Sequence, residues 1–317
     1  MEKDFQVVDR FTPGMEADAD DFGQISIDGS CLSNINNPLP ESSRCFALEN
    51  ITREDVLDYG NECFLLKSVL TEDESKHFIH EGEKVGFEKI PNGRDSYRSS
   101  QRISFQNTEL ATLLWDRIKN HVEDIIIEKD PREIHIEGPT VLMRGHWQPT
   151  GLNSVFRLCR YFPGEHFAPH NDGFFAVSAT ERSLKTFMLY LNGNFHGGST
   201  NFVDPSQTLY MGPDGKYCAE EKNILYRVQP DTGLAIIFNH NRLHEGQKIE
   251  DGVKYILRTD IMYKNSTSPT LSTNQDEAIE LLQEADRLES SGKCMEAMEL
   301  YKKAFKLSPE VAESFGF

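Results

Sequence analysis

The spacing of apolar residues predicts two helices in the first half of the chain. Thr71, followed three positions later by Glu74, is typical of a helix start, and we predict a helix that runs to about Val85. The run FLLKSVL at residues 64–70 precedes it and is typical of a short strand. A second helix is predicted over residues 108–124, because five apolar residues recur near one face: Leu110, Leu113, Leu114, Ile118 and Val122.

From residue 135 to residue 263 the pattern changes to short runs rich in β-branched and aromatic residues, separated by Gly, Pro, Asn and Asp. We interpret these runs as strands: IEGPTVLM, SVFRLCRYF, SLKTFMLYL, TNFV, ILYRV, GLAIIF and KYILRTDIMY. Helices followed by many short strands favour an α+β fold, with a jelly-roll or barrel supported by N-terminal helices. The predicted folded domain covers residues 56–264.

The two ends of the chain differ from this domain. Residues 1–55 include the acidic run EADADD and many turn-forming residues, so we predict a flexible lead segment. Residues 265–274 are predicted to be a polar linker, and residues 275–317 a helical hairpin.

The second helix of this hairpin resembles a tetratricopeptide repeat at six positions: Gly292, Ala297, Tyr301, Ala304, Phe305 and Pro309. A single repeat cannot bury its own apolar face, so the hairpin is expected to dock on the folded domain or on a protein partner. The alternative is a hairpin that merely covers the barrel.

The net charge of the chain limits the kinds of partner that it can bind. The chain has 33 Lys and Arg against 51 Asp and Glu, which gives a net charge of −18. A surface this acidic repels phosphate groups, so binding to nucleic acid or to an anionic membrane is not expected. The start of the sequence lacks the pattern of a secretory signal, and the six cysteines form no CxxC pair. We therefore predict that the protein is located in the cytoplasm, with the nucleus as a further location.

The candidate chemistry lies in RYFPGEHFAPHND, at residues 160–172. Side chains two apart on a strand point to the same face, so His170 and Asp172 are expected to lie together. An imidazole and a carboxylate supply two of the three ligands in the 2-His-1-carboxylate triad that suits iron(II). His244, which follows the apolar strand GLAIIF, is the candidate third ligand, and Lys254 lies ten positions beyond it.

A zinc site is the rival interpretation of the histidines. His166, His170, His240 and His244 form two HxxxH pairs, but bringing such pairs together requires a helix. Pro163, Gly164 and Pro169 favour strands and loops instead, and HExxH is absent. We therefore favour iron.

Over residues 64–264 the sequence resembles the prolyl 4-hydroxylase-type iron(II)/2-oxoglutarate dioxygenases. Four features carry the resemblance in order along the chain: YxxGxxxxPHxD ending at Asp172, LYLN at residues 189–192 followed by GGxTxF at 197–202, LHEG at 243–246, and GxK ending at Lys254. The last strand reads YILRTD where the collagen-modifying enzymes have a Trp-rich strand. The sequence is therefore more similar to the intracellular branch of that family.

The resemblance implies a double-stranded β-helix and a site that uses iron(II), 2-oxoglutarate and O2, with ascorbate as a candidate reductant. The metal ligands would be His170, Asp172 and His244. Lys254 would bind the far carboxylate of 2-oxoglutarate, with Arg258 on the same strand face as the rival, and Tyr190 would donate to the same carboxylate. The products would be succinate, CO2 and a hydroxylated substrate.

The sequence leaves the substrate open. A protein side chain, prolyl or another, is favoured by the order of the motifs and by the repeat-like hairpin, which would also be the surface for a protein partner. A small molecule is the first alternative, and a non-catalytic barrel that serves as a scaffold is the second. Arg157 and Arg160, interpreted as sharing one face of a strand, are candidates to grip an acidic substrate. His166 and His196 are predicted to face solvent.

Overall fold

The computed structural model describes residues 46–89, 95–138, 140–178, 180–267, 272–290 and 293–314. Residues 1–45 of the predicted lead segment, residues 268–271 of the predicted linker and Gly292 of the repeat-like pattern lie outside the described residues. Residues 46–55 are described, and the last four of them form a strand of the main sheet.

The described residues form six α-helices and seventeen strands. The helices are α1 (Glu72–Val85), α2 (Thr108–Ile118), α3 (Thr140–Met143), α4 (Thr273–Ser290), α5 (Cys294–Leu307) and α6 (Pro309–Ser314). The first nine strands are β1 (Thr52–Asp55), β2 (Cys63–Lys67), β3 (Glu88–Lys89), β4 (Gln101–Gln106), β5 (Ile125–Ile127), β6 (Gly145–Leu152), β7 (Val155–Tyr161), β8 (Phe167–His170) and β9 (Ala176–Ser178). The others are β10 (Glu181–Tyr190), β11 (His196–Gly197), β12 (Thr200–Val203), β13 (Ile224–Val228), β14 (Ala235–Asn239), β15 (His244–Gly246), β16 (Ile249–Asp251) and β17 (Lys254–Asn265).

All strand pairs are antiparallel, and they form two main sheets. The larger sheet has the order β1-β2-β14-β10-β17-β7-β4-β3, with β9 paired to β10, β6 to β17 and β5 to β6. The smaller sheet has the order β13-β12-β15-β8, and β11 pairs with β16 separately. The α+β class that the sequence predicted is confirmed, and antiparallel sheets of this kind are consistent with the predicted barrel.

Successive side chains of β10 point to opposite faces of the larger sheet, and the two faces pack into two different hydrophobic clusters. Phe187 and Leu189 join the cluster that packs against helices α1 and α2. Met188 and Tyr190 point the other way, into a second cluster that includes Phe202 from the smaller sheet. Successive side chains on a strand point to opposite faces, so this one strand supports both layers. The predicted helical support is therefore present on the outer face, and the inner face is left for the site.

Helix α1 begins and ends where the sequence predicted. The Glu74 amide donates to Thr71 Oγ1 at 3.2 Å, and the Thr71 amide donates to Glu74 Oε2 at 2.8 Å, which makes a reciprocal capping box. Helix α2 is shorter than predicted: it ends at Ile118 instead of residue 124, and a 3-10 turn at Lys119–His121 follows. Tight turns of this kind are common at helix ends, and this one still buries Val122.

The predicted strand IEGPTVLM is wrong, because its last four residues form helix α3. Gly138 has φ of 144°, and a Cβ there would lie 2.8 Å from Met143. The glycine therefore lets the backbone bend and approach Met143 closely, which ends any extended run at this point.

Helices α4 and α5 form the predicted hairpin. Ala278, Leu282, Ala304 and Val311 pack together and against Leu142 of α3, so the hairpin and α6 lie against the sheet domain. Its likeness to a tetratricopeptide repeat stays a prediction. Among the described residues, none of the helices has the length and apolar character that crossing a membrane requires.

A buried ion pair joins the two supporting helices. The Arg117 guanidinium donates to both carboxylate oxygens of Glu74, at 2.9 and 2.6 Å, and the two side chains are 3% and 0% exposed. Replacing Arg117 with methionine would leave a buried carboxylate without its partner, so we expect a loss of about 3–5 kcal/mol in the free energy of unfolding. Urea denaturation measures this loss. Lys76→Met, which removes the exposed partner of Glu72 on the same helix, is the control and should unfold as the wild type does.

Candidate metal centre

Two strands of the smaller sheet bring the two candidate histidines together. His170 ends β8, and His244 begins β15, where the two residues are paired directly across the antiparallel ladder. Their ring centroids lie 4.3 Å apart. Residues that are 74 positions apart in the sequence become neighbours because β15 returns alongside β8.

Asp172 completes a cluster with these two histidines. One possible ligand atom from each of His170, Asp172 and His244 lies within 4.8 Å of the other two, and all three residues are buried. Nε2 of His170 lies 3.7 Å from Oδ1 of Asp172, and Nε2 of His244 lies 3.7 Å from Oδ2. Distances of this size leave room for one ion between the three side chains.

The prediction that Asp172 shares a strand face with His170 needs a correction. Strand β8 ends at His170, and Asp172 lies just beyond it, where its amide donates to the carbonyl of His240 at 2.9 Å. The side chains nevertheless converge, although Asp172 lies outside the strand.

Backbone carbonyls orient both imidazoles. Nδ1 of His170 lies 2.8 Å from the carbonyl of Ala168, and Nδ1 of His244 lies 2.8 Å from the carbonyl of Arg242. A carbonyl accepts, so Nδ1 carries the proton in each ring and Nε2 is left with its lone pair. Metal-binding histidines commonly donate their other ring N–H in this way. Both Nε2 atoms face Asp172, as ligands to a shared ion would.

The Asp172 carboxylate is contacted on both oxygens. Thr186 donates its hydroxyl to Oδ2 at 2.5 Å, and Nη2 of Arg258 lies 3.0 Å from Oδ1. The side chain of Arg258 is 10% exposed, so this is a largely buried ion pair. One of the two rival cations on β17 therefore already meets an acidic group.

Lys254, the other rival, has different surroundings. It is buried, its Nζ donates to the carbonyl of Gly198 at 2.6 Å, and it lies 5.6 and 5.4 Å from the ring centroids of Tyr161 and Tyr190. No acidic side chain pairs with it within the described ranges. Burial lowers the pKa of Lys254 from 10.5 to about 7. An anion bound beside Nζ would restore the charged form.

A cavity joins these groups. Its lining includes the three residues of the cluster and four cationic side chains, which belong to Arg98, Arg157, Lys254 and Arg258. Asp172 is the acidic side chain of that lining in the described part of the chain. In a chain whose net charge is −18, this local excess of positive charge favours an anionic ligand.

Tyr190 does not reach the cavity surface directly. Its hydroxyl donates to Thr200 Oγ1 at 2.7 Å, and Thr200 is a lining residue. Burial raises the pKa of Tyr190 well above its usual value of 10, so the hydroxyl stays protonated as a donor. The structure thus places Tyr190 next to Lys254, with one threonine between its hydroxyl and the cavity.

Two predictions about other polar residues are wrong. Arg157 and Arg160 do not share a face: Arg157 lines the cavity, whereas Arg160 lies on the opposite side of β7 and pairs with Glu83 of α1. Residues three apart on a strand alternate faces, which the prediction overlooked. His166 is buried instead of solvent-facing, and burial lowers its pKa. His196 is exposed, as predicted.

Sequence reasoning missed the roles of three residues of the site. Thr186 contacts the Asp172 carboxylate, and His240 contacts Thr186, at 3.0 Å between Nδ1 and Oγ1. Arg98 lines the cavity, with its guanidinium carbon 4.3 Å from the centroid of the Phe167 ring, which stacks on His170. The position of Thr186 on β10, four residues before the predicted Tyr190, is the signal that could have identified it, because the two share a face.

The donor set fits iron. Two imidazole nitrogens and one carboxylate on one side of an ion are the facial triad of non-haem Fe(II) oxygenases, and they leave three coordination positions open. Among the described residues, no cysteine belongs to the cluster, and the ring tautomers are set for coordination through Nε2. His166 and His240, which the zinc interpretation required, do not belong to the cluster.

Comparison with known proteins agrees with this chemistry. Residues 156–259 match the family model of the 2OG-Fe(II) oxygenase superfamily, and this span contains all three residues of the triad. No curated protein matches the chain.

Solved structures similar to the chain include a viral collagen prolyl hydroxylase from Paramecium Bursaria Chlorella virus-1 in its 2OG complex. That match is 20% identical and covers 64% of this chain and 96% of the viral one, with a TM-score of 0.37. A Pseudomonas putida prolyl-4-hydroxylase is 13% identical over 65% of this chain and 94% of its own, with a TM-score of 0.38. A Trichoplax adhaerens prolyl hydroxylase in complex with a hypoxia inducible factor peptide fragment is 14% identical over 67% and 88%, with a TM-score of 0.39.

The family match and the His-Asp-His triad together imply Fe(II) as the metal and 2-oxoglutarate as the co-substrate. The span of residues 156–259 therefore carries the metal-binding triad of a 2OG-Fe(II) oxygenase.

Proposed function

We propose that this enzyme hydroxylates an unactivated C–H bond, most favourably on a protein side chain in the manner of the prolyl hydroxylases, and releases succinate and CO2. One observation carries the proposal: a buried triad lies in the same cavity as a buried lysine that has no acidic partner in the described residues. The triad would bind a metal ion, and the lysine would bind a carboxylate of a dicarboxylic acid.

The proposed role of Lys254 is to bind the far carboxylate of 2-oxoglutarate. A buried cation is costly unless it is paired with an anion. Lys254 Nζ donates to a carbonyl and has no acidic partner in the described residues, whereas Arg258 already contacts Asp172. Thr200 and, behind it, Tyr190 would supply polar contacts on the same side. We therefore favour Lys254 over Arg258 as the anchor.

When bound, Fe(II) would supply the redox chemistry that activates O2 with electrons from 2-oxoglutarate. The residues of the chain would bind and orient the co-substrate, keep bulk water out of the buried cavity, and keep Nε2 of His170 and of His244 deprotonated. They need not act as acid or base towards the substrate. The C–H bond that enters the cavity beside His170 and His244 would be the one that reacts.

A protein substrate is supported by the order of four motifs, which resembles that of the prolyl 4-hydroxylases, and by the helical hairpin α4–α5. We propose that the hairpin is a surface for a protein partner or substrate, and that the two facing sheets close as a double-stranded β-helix. We also propose a cytoplasmic protein, with the nucleus as a further location. The net charge of −18 disfavours nucleic acid and anionic membranes as partners.

The test is succinate release by the full chain with Fe(II), 2-oxoglutarate, O2, ascorbate and a panel of proline-containing and other peptides. We expect succinate release that depends on both O2 and peptide, with one oxygen atom added to the peptide by mass spectrometry. The matched control is His244→Ala, which should release none. If no peptide stimulates succinate release or gains oxygen, the protein-substrate proposal is wrong.

A small anionic molecule is the second candidate substrate. Arg98 is 7% exposed and lines the cavity, and its Nη1 has no hydrogen-bond partner in the described part of the chain. A carboxylate or phosphate on the substrate would satisfy that nitrogen. Oxygen incorporation into a small acid in the same assay, without any peptide, would favour this candidate.

A further inference from the structure

A series of buried side chains extends away from the Asp172 carboxylate. Thr186 Oγ1 lies 2.5 Å from Asp172 Oδ2 and 3.0 Å from Nδ1 of His240. The other ring nitrogen of His240, Nε2, lies 3.0 Å from Ser183 Oγ. Thr186 and Ser183 are 0% exposed and His240 is 2% exposed, so water does not compete for these bonds. The hydrogen bonds therefore act at full strength.

The proton positions in this series follow from the chemistry of the groups. An ionised carboxylate only accepts, so the single hydroxyl proton of Thr186 goes to Asp172. Thr186 Oγ1 must then accept from Nδ1–H of His240, which leaves Nε2 of the neutral ring to accept from Ser183. Ser183 Oγ in turn accepts the backbone N–H of Phe175 at 2.8 Å. Each donor in the series points towards the metal ligand.

We infer that Thr186 and His240 are positioning residues, which hold the Asp172 carboxylate ready for the metal. The inference rests on the proposed metal site and adds to it two residues that touch neither metal nor substrate. Asp172 lies beyond the end of β8, where its amide donates to the carbonyl of His240 and its carboxylate is contacted by the side chains of Thr186 and Arg258. The orientation of its carboxylate therefore depends on side-chain contacts.

Arg258 makes the role of Thr186 necessary. Its Nη2 lies 3.0 Å from Oδ1 of Asp172 and draws the carboxylate towards β17. Thr186, held by His240, fixes the other oxygen, Oδ2, from β10. With one oxygen fixed, the carboxylate cannot rotate fully towards the guanidinium. Loss of the Thr186 bond would let Asp172 turn to Arg258, away from the histidine nitrogens.

The predicted consequence is a weaker metal site. Changes to residues that hold metal ligands in place typically cost about 10- to 100-fold in metal affinity. We expect Thr186→Val, which keeps the shape but removes the hydroxyl, to raise the dissociation constant for Mn(II) by about that factor. Calorimetric titration of the full-length protein with Mn(II), without any turnover, measures this. Thr186→Ser keeps the donor and should bind Mn(II) within a few-fold of the wild type.

Two further measurements separate positioning from general damage to the fold. Thr259→Val is the matched control, because Thr259 is equally buried but its hydroxyl lies 2.7 and 2.8 Å from the carbonyls of Asn153 and Val155, outside the cavity. It should leave Mn(II) binding unchanged. The visible absorption of the Co(II)-loaded protein should change in Thr186→Val and not in Thr259→Val, since only the first alters how a ligand meets the ion.

His240 provides an independent variant if Thr186→Val does not fold. His240→Asn places an amide N–H near the position of Nδ1 and should keep most of the affinity, whereas His240→Leu removes the donor and should weaken Mn(II) binding. Wild-type affinity and an unchanged Co(II) spectrum in the folded Thr186→Val or His240→Leu protein would overturn the inference. A wild-type protein that binds no divalent metal would overturn the proposed function itself, which is a distinguishable result.

Discussion

Replacement of His170 with alanine is expected to abolish Fe(II) loading and all 2-oxoglutarate turnover. Nε2 of His170 is one of three donor atoms that lie within 4.8 Å of one another, and its orientation is set by the bond from Nδ1 to Ala168. Substitution of a residue that holds a metal ligand in place typically lowers metal affinity by about 10- to 100-fold. Removal of the ligand itself should therefore lower metal affinity by more than about 100-fold. Metal content after anaerobic loading with Fe(II), together with succinate release, measures the two effects.

His196→Ala is the control for this experiment. His196 is an exposed histidine on β11, outside the cavity, so its loss should leave iron content and turnover unchanged. If His170→Ala retained one equivalent of iron and normal turnover while His196→Ala lost them, the assignment of the metal ligands would be wrong. Retention in both variants would have the same meaning, because the site would then lie elsewhere.

The three ligands were predictable from sequence because each lies in a short motif whose neighbouring residues indicate a strand. His170 and Asp172 form an HxD after a strand, and His244 follows a buried apolar strand. The contact between Arg258 and Asp172 was not predictable, because it joins residues 86 positions apart whose side chains could each have met many partners. Sequence reasoning placed Lys254 and Arg258 on one face of a strand, and only their partners in space distinguish them.

His240 and Thr186 show a second limit of sequence reasoning. His240 appeared as part of a zinc-like HxxxH pair, because spacing alone cannot tell a metal ligand from a residue that supports one. Its ring points to Thr186 and Ser183, which belong to a strand more than fifty residues earlier in the chain. A threonine in a strand is typical of any sheet, so the sequence places Thr186 on the same strand face as Tyr190 but does not identify Asp172 as its partner.

For the fold, strands and helix starts were easier to predict than boundaries and bends. The capping box at Thr71 is a local chemical signal, and the helix begins there. Helix α3 was missed, since residues 140–143 are as apolar as a strand, and the bend at Gly138 depends on how closely Met143 packs against it. Packing of this kind lies in the tertiary structure and leaves no periodicity in the sequence.

Replacement of Lys254 with methionine is expected to weaken 2-oxoglutarate binding by about 30- to 5,000-fold, because removing one partner of a buried charged pair typically costs about 2–5 kcal/mol. Binding to the Mn(II)-loaded protein, measured by calorimetry, tests this without turnover. Arg258→Met is the matched control on the same face of β17. If Arg258→Met lost 2-oxoglutarate and Lys254→Met kept it, with Mn(II) bound in both, the anchor would be Arg258.

The buried state of Lys254 also predicts how 2-oxoglutarate affinity changes with pH. Burial lowers the pKa of the free lysine to about 7, and the bound dicarboxylate should raise it again by stabilising the ammonium form. Below pH 7 the lysine is already charged and the affinity is constant. Above pH 7 binding must take up a proton, so the dissociation constant should rise by up to about 10-fold per pH unit. Lys254→Arg keeps its charge throughout this range, so its affinity should stay level between pH 6.5 and 8.5. An equally steep rise in Lys254→Arg would place the titrating group elsewhere and remove this support for the lysine as the anchor.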